Sequence, residues 1–385
     1  MHRRVIVLVY VALFVGELSW QAVTPLIPTY ISTYDLTDVQ GGLLLSVASL
    51  GILLASLPAG YLTRHVTPRR LTEIAMAVIA LAGFAMALVP GYPAAVAARF
   101  VFGLGFGVLW VSMAAWLDDA AGDDSARVLA ATTAVVGVGA TLGPAYAGAV
   151  AQRFGLTAPF VGLAAITGLL LVMLLLDRSG TGLKNEPAPP LRDLARAAGS
   201  DPDLVTMLLL TVAASIVWLT SDLLVPLRLA DGGFDAGQIG IIFTVGSVVF
   251  VVTSATTSRY ADRLARPRIV AVATGLLAMC TLVPAIFAGV PAAMVFLVGA
   301  ALTTGVTIAL TFPFGLLAVE RGAVTVAVMS ALSNIVWASS GMLGPTVGGT
   351  FSEWAGDQWA FAVLTVICLV VAVVVARVAR RSSPA

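Results

Sequence analysis

The chain contains twelve apolar segments of about 20 residues or more, separated by short polar stretches. A helix of about 20 residues crosses a hydrocarbon core roughly 30 Å thick, and helices satisfy their own backbone hydrogen bonds there. The sequence therefore predicts an all-α membrane protein with twelve transmembrane helices. The predicted segments are 5–31, 39–63, 71–90, 94–116, 126–151, 157–177, 204–229, 237–260, 268–289, 292–317, 323–350 and 358–378.

Composition supports the membrane class and excludes several others. The chain is 59% hydrophobic and 11% charged, whereas about a quarter of the residues in a soluble domain are charged. The basic residues are spread over many loops, so we expect no nucleic-acid partner. Cys280 and Cys368 each lie in an apolar run, which indicates neither a disulfide framework nor a metal site.

The basic residues also predict the orientation in the membrane. If the N-terminus lies inside, 18 of the 21 basic residues fall on the inner face, while Arg153 and Arg228 fall outside and Arg99 lies within a segment. Cytoplasmic loops carry an excess of basic residues. We therefore expect a multi-pass protein of the inner or plasma membrane with both termini in the cytoplasm.

The longest polar interval divides the chain into two halves. It combines glycine, proline and charged residues of both signs, which is the composition of a linker. The sequence predicts an N-terminal six-helix bundle at 1–177, a cytoplasmic linker at 178–203 and a C-terminal six-helix bundle at 204–385.

The two halves repeat each other. Thr24-Pro25-Leu26 matches Val225-Pro226-Leu227, and Gly143-Pro144 matches Gly344-Pro345, both at an offset of 201. Three further matches share an offset of 198: Gln40 with Gln238, Gly42 with Gly240, and Gly91-x-Pro93 with Gly289-x-Pro291. Several matches in consistent register indicate two pseudo-symmetric bundles.

Glu17 is an acidic residue in the middle of the first apolar segment. An ionised group there costs roughly 2.5 to 3.5 kcal/mol on insertion scales, so such residues usually face a wet cavity or a partner. We predict that Glu17 carries a coupling proton. The alternative is a neutral acid that hydrogen-bonds a neighbouring helix and only stabilises the bundle.

Arg99 is the basic residue that lies within a membrane segment. At about 1.5 Å per residue, Arg99 and Glu17 fall at a similar depth in a core of about 30 Å. We predict that the two side chains are partners and that Arg99 tunes proton binding by Glu17. A static ion pair without a role in coupling is the alternative.

The repeat extends the predicted cavity into the second half. At an offset of 201, Glu17 corresponds to Trp218 and Gln21 to Asp222, and in each helix the two residues share one face. We predict that Gln21, Trp218 and Asp222 contact cargo and that Asp222 takes part in proton coupling, although Asp222 also fits a solvated acid near the outer surface. The other predicted cavity residues are Trp20, Trp110, Thr307, Asn334 and Trp337.

Two parallel six-helix repeats are the architecture of one transporter family, in which substrates bind near the membrane midplane between the halves. The chain resembles the major facilitator superfamily over essentially its whole length. The loop 60–70 contains a damaged form of that family's G-x-x-x-D-R-x-G-R-R signature, with Arg64 at the acidic position. The equivalent loop keeps the pair Asp262-Arg263.

This resemblance implies that Asp262 and Arg263 stabilise a cytoplasmic gate, where the acid faces the positive end of a helix dipole. Arg64 would be unfavourable in that position unless an acid neutralised it. We therefore expect Arg64 to pair with Glu320. The alternative for these arginines is ordinary positive-inside anchoring.

The Gly-Pro pairs of the repeat suggest a class within the family. Gly143 and Pro144 lie in a G-x-x-x-G-P-x-x-G-G pattern that is similar to the antiporter motif of drug:proton antiporters, with Ala147 at one glycine position. Gly344 and Pro345 repeat part of the pattern. Glycines four apart let helices approach closely and proline permits a bend, so close packing is the simpler interpretation.

These features predict a secondary active transporter that works by alternating access. We expect a monomer in the lipid bilayer that exports a small amphipathic or drug-like molecule in exchange for protons. Proton-coupled uptake of a sugar, organic anion or other metabolite is the alternative, and a membrane sensor without transport is a third. No Walker-type phosphate loop or cluster of metal-ligating residues occurs in the sequence, so we expect no enzyme activity and no cofactor.

Overall fold

The computed structural model describes residues 2–62, 65–121, 125–176, 194, 196–199 and 201–381. All regular secondary structure in these ranges is helical. The all-α fold is thus confirmed. The helices are α1 His2–Gln21, α2 Ile27–Tyr34, α3 Asp38–Leu62, α4 Pro68–Leu88, α5 Tyr92–Ala121, α6 Ser125–Phe154, α7 Ala158–Leu176, α8 Pro202–Asp231, α9 Ala236–Arg259, α10 Ala261–Leu264, α11 Pro267–Ile286, α12 Val290–Glu320, α13 Val326–Ala355 and α14 Asp357–Arg381.

Most of these helices have the length and composition of membrane spans. Eleven stretches of the described residues are long and apolar enough to cross a bilayer. The remaining predicted segment, 323–350, corresponds to α13, which has 30 residues. The twelve predicted segments therefore all appear as helices, with α1 and α2 together forming the first span, Arg4–Tyr34.

The first span is broken, which the sequence analysis did not predict. Helix α1 ends at Gln21, a 3-10 turn follows at Thr24–Leu26, and α2 begins at Ile27. Pro25 has no backbone N–H and cannot donate to the carbonyl of Gln21 four residues earlier. The α-helical ladder is therefore interrupted directly after the turn that contains Glu17.

Several helices begin at recognisable caps. The Thr67 side chain accepts a hydrogen bond from the backbone N–H of Arg70, and Pro68 occupies the first helical position of α4. The Asp201 carboxylate accepts from the N–H groups of Asp203 and Leu204 at the start of α8. Such caps satisfy N–H groups that have no partner inside the helix.

The chain forms two compact units. The first contains Met1–Leu36, Leu43–Pro187 and Phe234–Thr244, and the second contains Thr37–Gly42, Ala188–Gly233 and Val245–Ala385. The first turns of α3 and α9 are therefore grouped with helices of the other half of the sequence. Most of the predicted linker 178–203 lies outside the described residues, so the predicted division of the chain stays a prediction.

The sequence repeat is visible in the contacts of these first turns. In the second unit, a Cβ built on Gly42 would lie 2.3 Å from the carbonyl oxygen of Pro345. In the first unit, a Cβ built on Gly240 would lie 2.3 Å from the carbonyl oxygen of Pro144. These glycines allow backbone to approach backbone at equivalent positions of the two halves.

The helix starts of α3 and α9 repeat the same capping arrangement. The Gln40 side chain accepts from the N–H of Thr37 at 2.9 Å, and the Gln238 side chain accepts from the N–H of Asp235 at 3.0 Å. The matches at an offset of 198 thus correspond to one repeated local structure.

The second unit contains a buried arginine near the end of α8. Arg228, which was expected on the outer side at the end of the predicted segment 204–229, lies inside the last turn of α8 and is only 5% exposed. Its guanidinium contacts the ends of α11 and α14. Its predicted location on the outer face of the membrane stays a prediction.

Candidate functional site

Glu17 lies in α1 and faces α5 and α6. It is 9% exposed. A Cβ built on Gly139 of α6 would lie 3.0 Å from the Cβ of Glu17, so only glycine fits at that position. The indole of Trp110 on α5 lies close to the carboxyl group. The acid is therefore enclosed by three helices of the first unit.

Gln21 lies one turn further along the same face of α1. A Cβ built on Gly143 of α6 would lie 2.9 Å from the Cβ of Gln21 and 2.8 Å from the carbonyl oxygen of Leu18. The Gln21 side chain is 3% exposed, and its Oε1 atom has no hydrogen-bond partner among the described residues. A buried acceptor without a donor usually costs about 1–3 kcal/mol, which makes this atom a candidate for a functional contact.

The close approach of α6 to α1 depends on the two glycines of α6. Gly139 and Gly143 are four residues apart and meet Glu17 and Gln21, which are also four apart. The Gly-Pro pattern of α6 therefore packs directly against the polar face of α1. In the second unit, Gly344 of α13 meets the Thr220 side chain of α8 in a related arrangement.

Arg99 lies elsewhere in the first unit. It is 3% exposed, and its guanidinium carbon lies 5.4 Å from the ring centroid of Trp20 and 5.1 Å from that of Phe102. The Arg99 side chain lines a cavity of about 20 Å³ together with Ser19 and Thr167. A cavity of this size holds about one water molecule.

The predicted partnership of Glu17 and Arg99 does not take the form of an ion pair. None of the ion pairs seen between described residues, such as that of Arg69 with Glu73, joins Glu17 to Arg99. Counting residues along two helices gave a similar depth for both side chains, but depth does not determine the direction in which each points. Arg99 faces the aromatic rings and the cavity, whereas Glu17 faces Trp110 and α6.

Aromatic side chains connect the surroundings of the two charged residues. The Trp20 ring stacks on Phe106 with centroids 5.6 Å apart, and Phe106 contacts Trp110 edge-on at 6.3 Å. Trp20 also lies under the guanidinium of Arg99. Such pairs add about 0.5–1.5 kcal/mol each beyond their burial, so Trp20 and Trp110 are held in place.

The predicted cavity residues of the second unit are mostly buried. Trp218 is partly buried and its ring lies 4.8 Å from that of Phe250. Asp222 is 5% exposed, which contradicts the alternative of a solvated surface acid. Thr307 is buried and its hydroxyl donates to the Thr303 carbonyl at 2.7 Å, which satisfies the hydroxyl within its own helix.

The two candidates on α13 are more accessible. Asn334 is exposed and Trp337 is partly buried. No contact in the described part of the structure indicates a specific role for Asn334 or Trp337. Their place in the cavity therefore remains a prediction.

The comparison with protein families agrees with the fold. The family model of the Major Facilitator Superfamily matches residues 9–345 and matches again at 233–385. The chain belongs to this superfamily. It is therefore a multi-pass membrane transporter.

Solved structures of this superfamily share the fold over the whole chain. A bacterial homologue of the human lysosomal transporter Spinster, in an inward-facing and unoccupied conformation, has a TM-score of 0.85 and 14% identity, with 100% of this chain and 99% of that chain covered. Its inward-facing and occupied structure has a TM-score of 0.82 and 15% identity, covering 100% and 99%. A POT family transporter in complex with a thioalcohol-conjugated peptide has a TM-score of 0.79 and 11% identity, covering 99% and 97%.

The superfamily's signature loops lie partly outside the described residues. Arg64 and the side chain of Asp262 lie outside the described residues. Arg263 is exposed in α10, and Glu320 is exposed at the end of α12. The expected pairs of Arg64 with Glu320 and of Asp262 with a helix start therefore stay predictions.

Charged contacts near these loops were missed by the sequence analysis. Arg321 contacts the carboxylates of Asp201 and Asp203, which lie at the start of α8. Arg69 pairs with Glu73 at 2.9 Å and also donates to the Leu174 carbonyl at the end of α7. The spacing of Arg69 and Glu73, four residues apart in one helix, was a signal for the second contact.

Proposed function

We propose that this transporter exports small amphipathic molecules in exchange for protons, with Glu17 as the proton carrier. The observation that carries the proposal is the burial of the Glu17 carboxyl between α1, α5 and α6. Among the described residues it lies close to the Trp110 indole and forms no ion pair.

The surroundings of Glu17 favour reversible proton binding over a permanent charge. An unpaired carboxylate in an apolar interior is costly, whereas a carboxylic acid needs only one hydrogen-bond acceptor for its proton. A carboxyl group that is stable in its neutral form becomes ionised only when water or another hydrogen-bond donor reaches it and stabilises the charge. This dependence on access is the property that a coupling group in alternating access requires.

The remaining site residues take supporting roles in the proposal. Trp110 and Trp20 give the first unit an aromatic surface, and Trp218 gives one to the second. Asp222 is the second buried acid that we assign to proton coupling. Arg99 acts on the site through Trp20, because its guanidinium lies against that ring.

Alternating access is the transport mechanism that we infer from family membership. The two structures of the Spinster homologue are inward-facing, one unoccupied and one occupied. We assign gating roles to Asp262, Arg263, Arg64 and Glu320. We further propose the bundle division 1–177 and 204–385, a plasma-membrane location, cytoplasmic termini and a monomer.

Transport by purified protein in liposomes tests the proposal. Vesicles with an imposed pH gradient are screened for movement of amphipathic compounds by the wild type and by Glu17→Gln. We expect gradient-driven transport in the wild type and its loss in the variant. Glu353→Gln, at an exposed carboxylate that accepts from the backbone of Val39, is the matched control and should transport normally.

Two outcomes would count against the proposal. Transport that ignores the pH gradient in both proteins would remove the proton from the mechanism. Accumulation in the direction of proton flow would replace export by uptake through symport, while the role of Glu17 would remain.

A further inference from the structure

The side-chain oxygen of Gln21 is a hydrogen-bond acceptor that the protein leaves without a donor. The residue is 3% exposed, and no described group donates to Oε1. It follows Glu17 by four residues in α1, so the two side chains lie one above the other. The Cβ atoms of both residues are close to the α6 glycines that face them, Gly139 and Gly143.

Glu17 needs such an acceptor in only one of its two protonation states. An ionised carboxylate accepts hydrogen bonds and donates none, whereas a carboxylic acid has one O–H donor. Trp110, which lies close to Glu17, carries an indole N–H that donates only. Trp110 can therefore bond the carboxyl in either state but cannot accept its proton.

We propose that Gln21 is the acceptor for the Glu17 proton and thus a positioning residue of the coupling site rather than a contact for cargo. This inference rests on the proposed function, because it requires that Glu17 binds a proton. In the protonated site, Trp110 donates to one oxygen of Glu17 and the acid O–H donates to Oε1 of Gln21. Loss of the proton leaves two acceptors one turn apart with no hydrogen between them.

Other polar groups on the helices around Glu17 are engaged elsewhere. The Tyr10 hydroxyl donates to the Val128 carbonyl at 2.7 Å, and the Ser19 hydroxyl donates to the Val15 carbonyl at 2.7 Å. The Tyr146 hydroxyl of α6 donates to the Pro159 carbonyl at 3.1 Å. Arg99 of α5 lies against Trp20 and Phe102.

The remaining titratable groups described on these helices lie near the helix ends. They are Arg4 in α1, Tyr92 in α5 and Arg153 in α6, and α7 has no titratable residue. Among these residues, Gln21 is therefore the acceptor that shares a face with Glu17.

Infrared difference spectroscopy of the full-length protein in lipid tests the inference. Spectra recorded between high and low pH contain the C=O stretch of each carboxylic acid that forms. The band that disappears in Glu17→Gln belongs to Glu17. We expect this band to shift to higher wavenumber in Gln21→Met, because the acid O–H loses its acceptor while the side chain keeps nearly the same length.

Thr304→Val is the matched control. Its hydroxyl oxygen is another buried polar atom without a hydrogen-bond partner among the described residues, and it lies in α12 of the second unit. The Glu17 band should stay in place in this variant. If the Glu17 band shifted as far in Thr304→Val as in Gln21→Met, the shift would reflect a general loosening of the protein and not the loss of the Gln21 acceptor. That result would overturn the inference.

A second measurement needs no change at position 21. With ¹³C-labelled glutamine side chains, the Gln21 amide band of the wild type should shift to lower wavenumber on acidification, and Glu17→Gln should abolish that shift. An unchanged amide band, or an unchanged Glu17 band in Gln21→Met, overturns the role of Gln21 and leaves the proposed function standing. Absence of any band that depends on Glu17 removes the proton carrier and overturns both.

Discussion

The Nε atom of Arg228 donates to the carboxylate of Asp357, which joins the last turn of α8 to the first turn of α14. The Nη atoms of the same guanidinium donate to the carbonyls of Phe287 at 3.1 Å and Pro284 at 2.7 Å. The guanidinium also lies 4.8 Å from the ring centroid of Phe361. One buried side chain thus fastens the ends of three helices in the second unit.

Asp357→Asn should destabilise the protein strongly. The variant leaves the Arg228 guanidinium buried without its counter-charge, and breaking a buried pair on one side costs about 3–5 kcal/mol. Thermal unfolding in detergent, followed by circular dichroism, measures the loss. Arg153→Gln removes an exposed arginine from α6 and should change stability by no more than about 0.5 kcal/mol. Equal melting temperatures for both variants would contradict the role of the Arg228 cluster.

Gly143→Leu should separate α1 from α6. The new side chain would start 2.8 Å from the Leu18 carbonyl oxygen and 2.9 Å from the Cβ of Gln21. Overpacking of this kind costs about 1–3 kcal/mol, and we expect proton-driven transport to be lost even where the protein still folds. The measurement is transport in liposomes together with thermal unfolding.

Gly168→Ala is the control for that change. A Cβ at Gly168 in α7 meets nothing within 4 Å, and alanine is the better helix former by about 1 kcal/mol. Full transport in Gly143→Leu would show that the close contact of α6 with the polar face of α1 is dispensable.

Trp110→Phe should slow proton-coupled transport. The change keeps an aromatic ring next to Phe106 but removes the indole N–H that, in the proposed site, donates to the Glu17 carboxyl. Loss of a donor to a charged group costs about 1.5–3 kcal/mol, and every 1.4 kcal/mol corresponds to about a tenfold change. We therefore expect at least a severalfold lower rate under a fixed pH gradient.

Trp116→Phe provides the comparison on the same helix. Trp116 is buried in the apolar core of the first unit and has no role in the proposed site. Its variant should lose some stability but keep the response of transport to the pH gradient. If both variants respond alike, the Trp110 contact with Glu17 does not matter for coupling.

Arg321→Gln should have only a small effect on stability. Arg321 pairs with Asp201 and Asp203, but its side chain is 49% exposed, and exposed ion pairs contribute about 0–1 kcal/mol. The difference from the wild type should shrink further at high salt. Unfolding temperatures at low and high ionic strength measure both points, and a salt-independent loss of several kcal/mol would contradict this estimate.

Hydropathy predicted the spans well because the bilayer demands about 20 apolar residues from each crossing helix. It also singled out Glu17, since an acid inside such a segment needs a special environment. The sequence could not show which way each side chain points about its helix axis. That direction is set by packing: Arg99 lies against the Trp20 ring, whereas the Glu17 side chain lies close to Trp110.

The glycines illustrate the same limit. The spacing of Gly139 and Gly143 indicated a close helix contact, but only the structure shows that the partners are Glu17 and Gln21 of α1. The break after Gln21 was missed because Pro25 lies in an apolar run that otherwise reads as one continuous span. A proline permits a kink in a helix, but packing against neighbouring helices decides whether the kink forms.

The break in the first span separates its two pieces at the level of the backbone hydrogen bonds. Glu17 and Gln21 lie on the last turn before this break, and no helical hydrogen bond from Pro25 ties that turn to α2. The N–H of Ala22 still donates to the Leu18 carbonyl at 3.1 Å, so it is the carbonyl of Gln21, one turn beyond Glu17, that the break deprives of its helical donor.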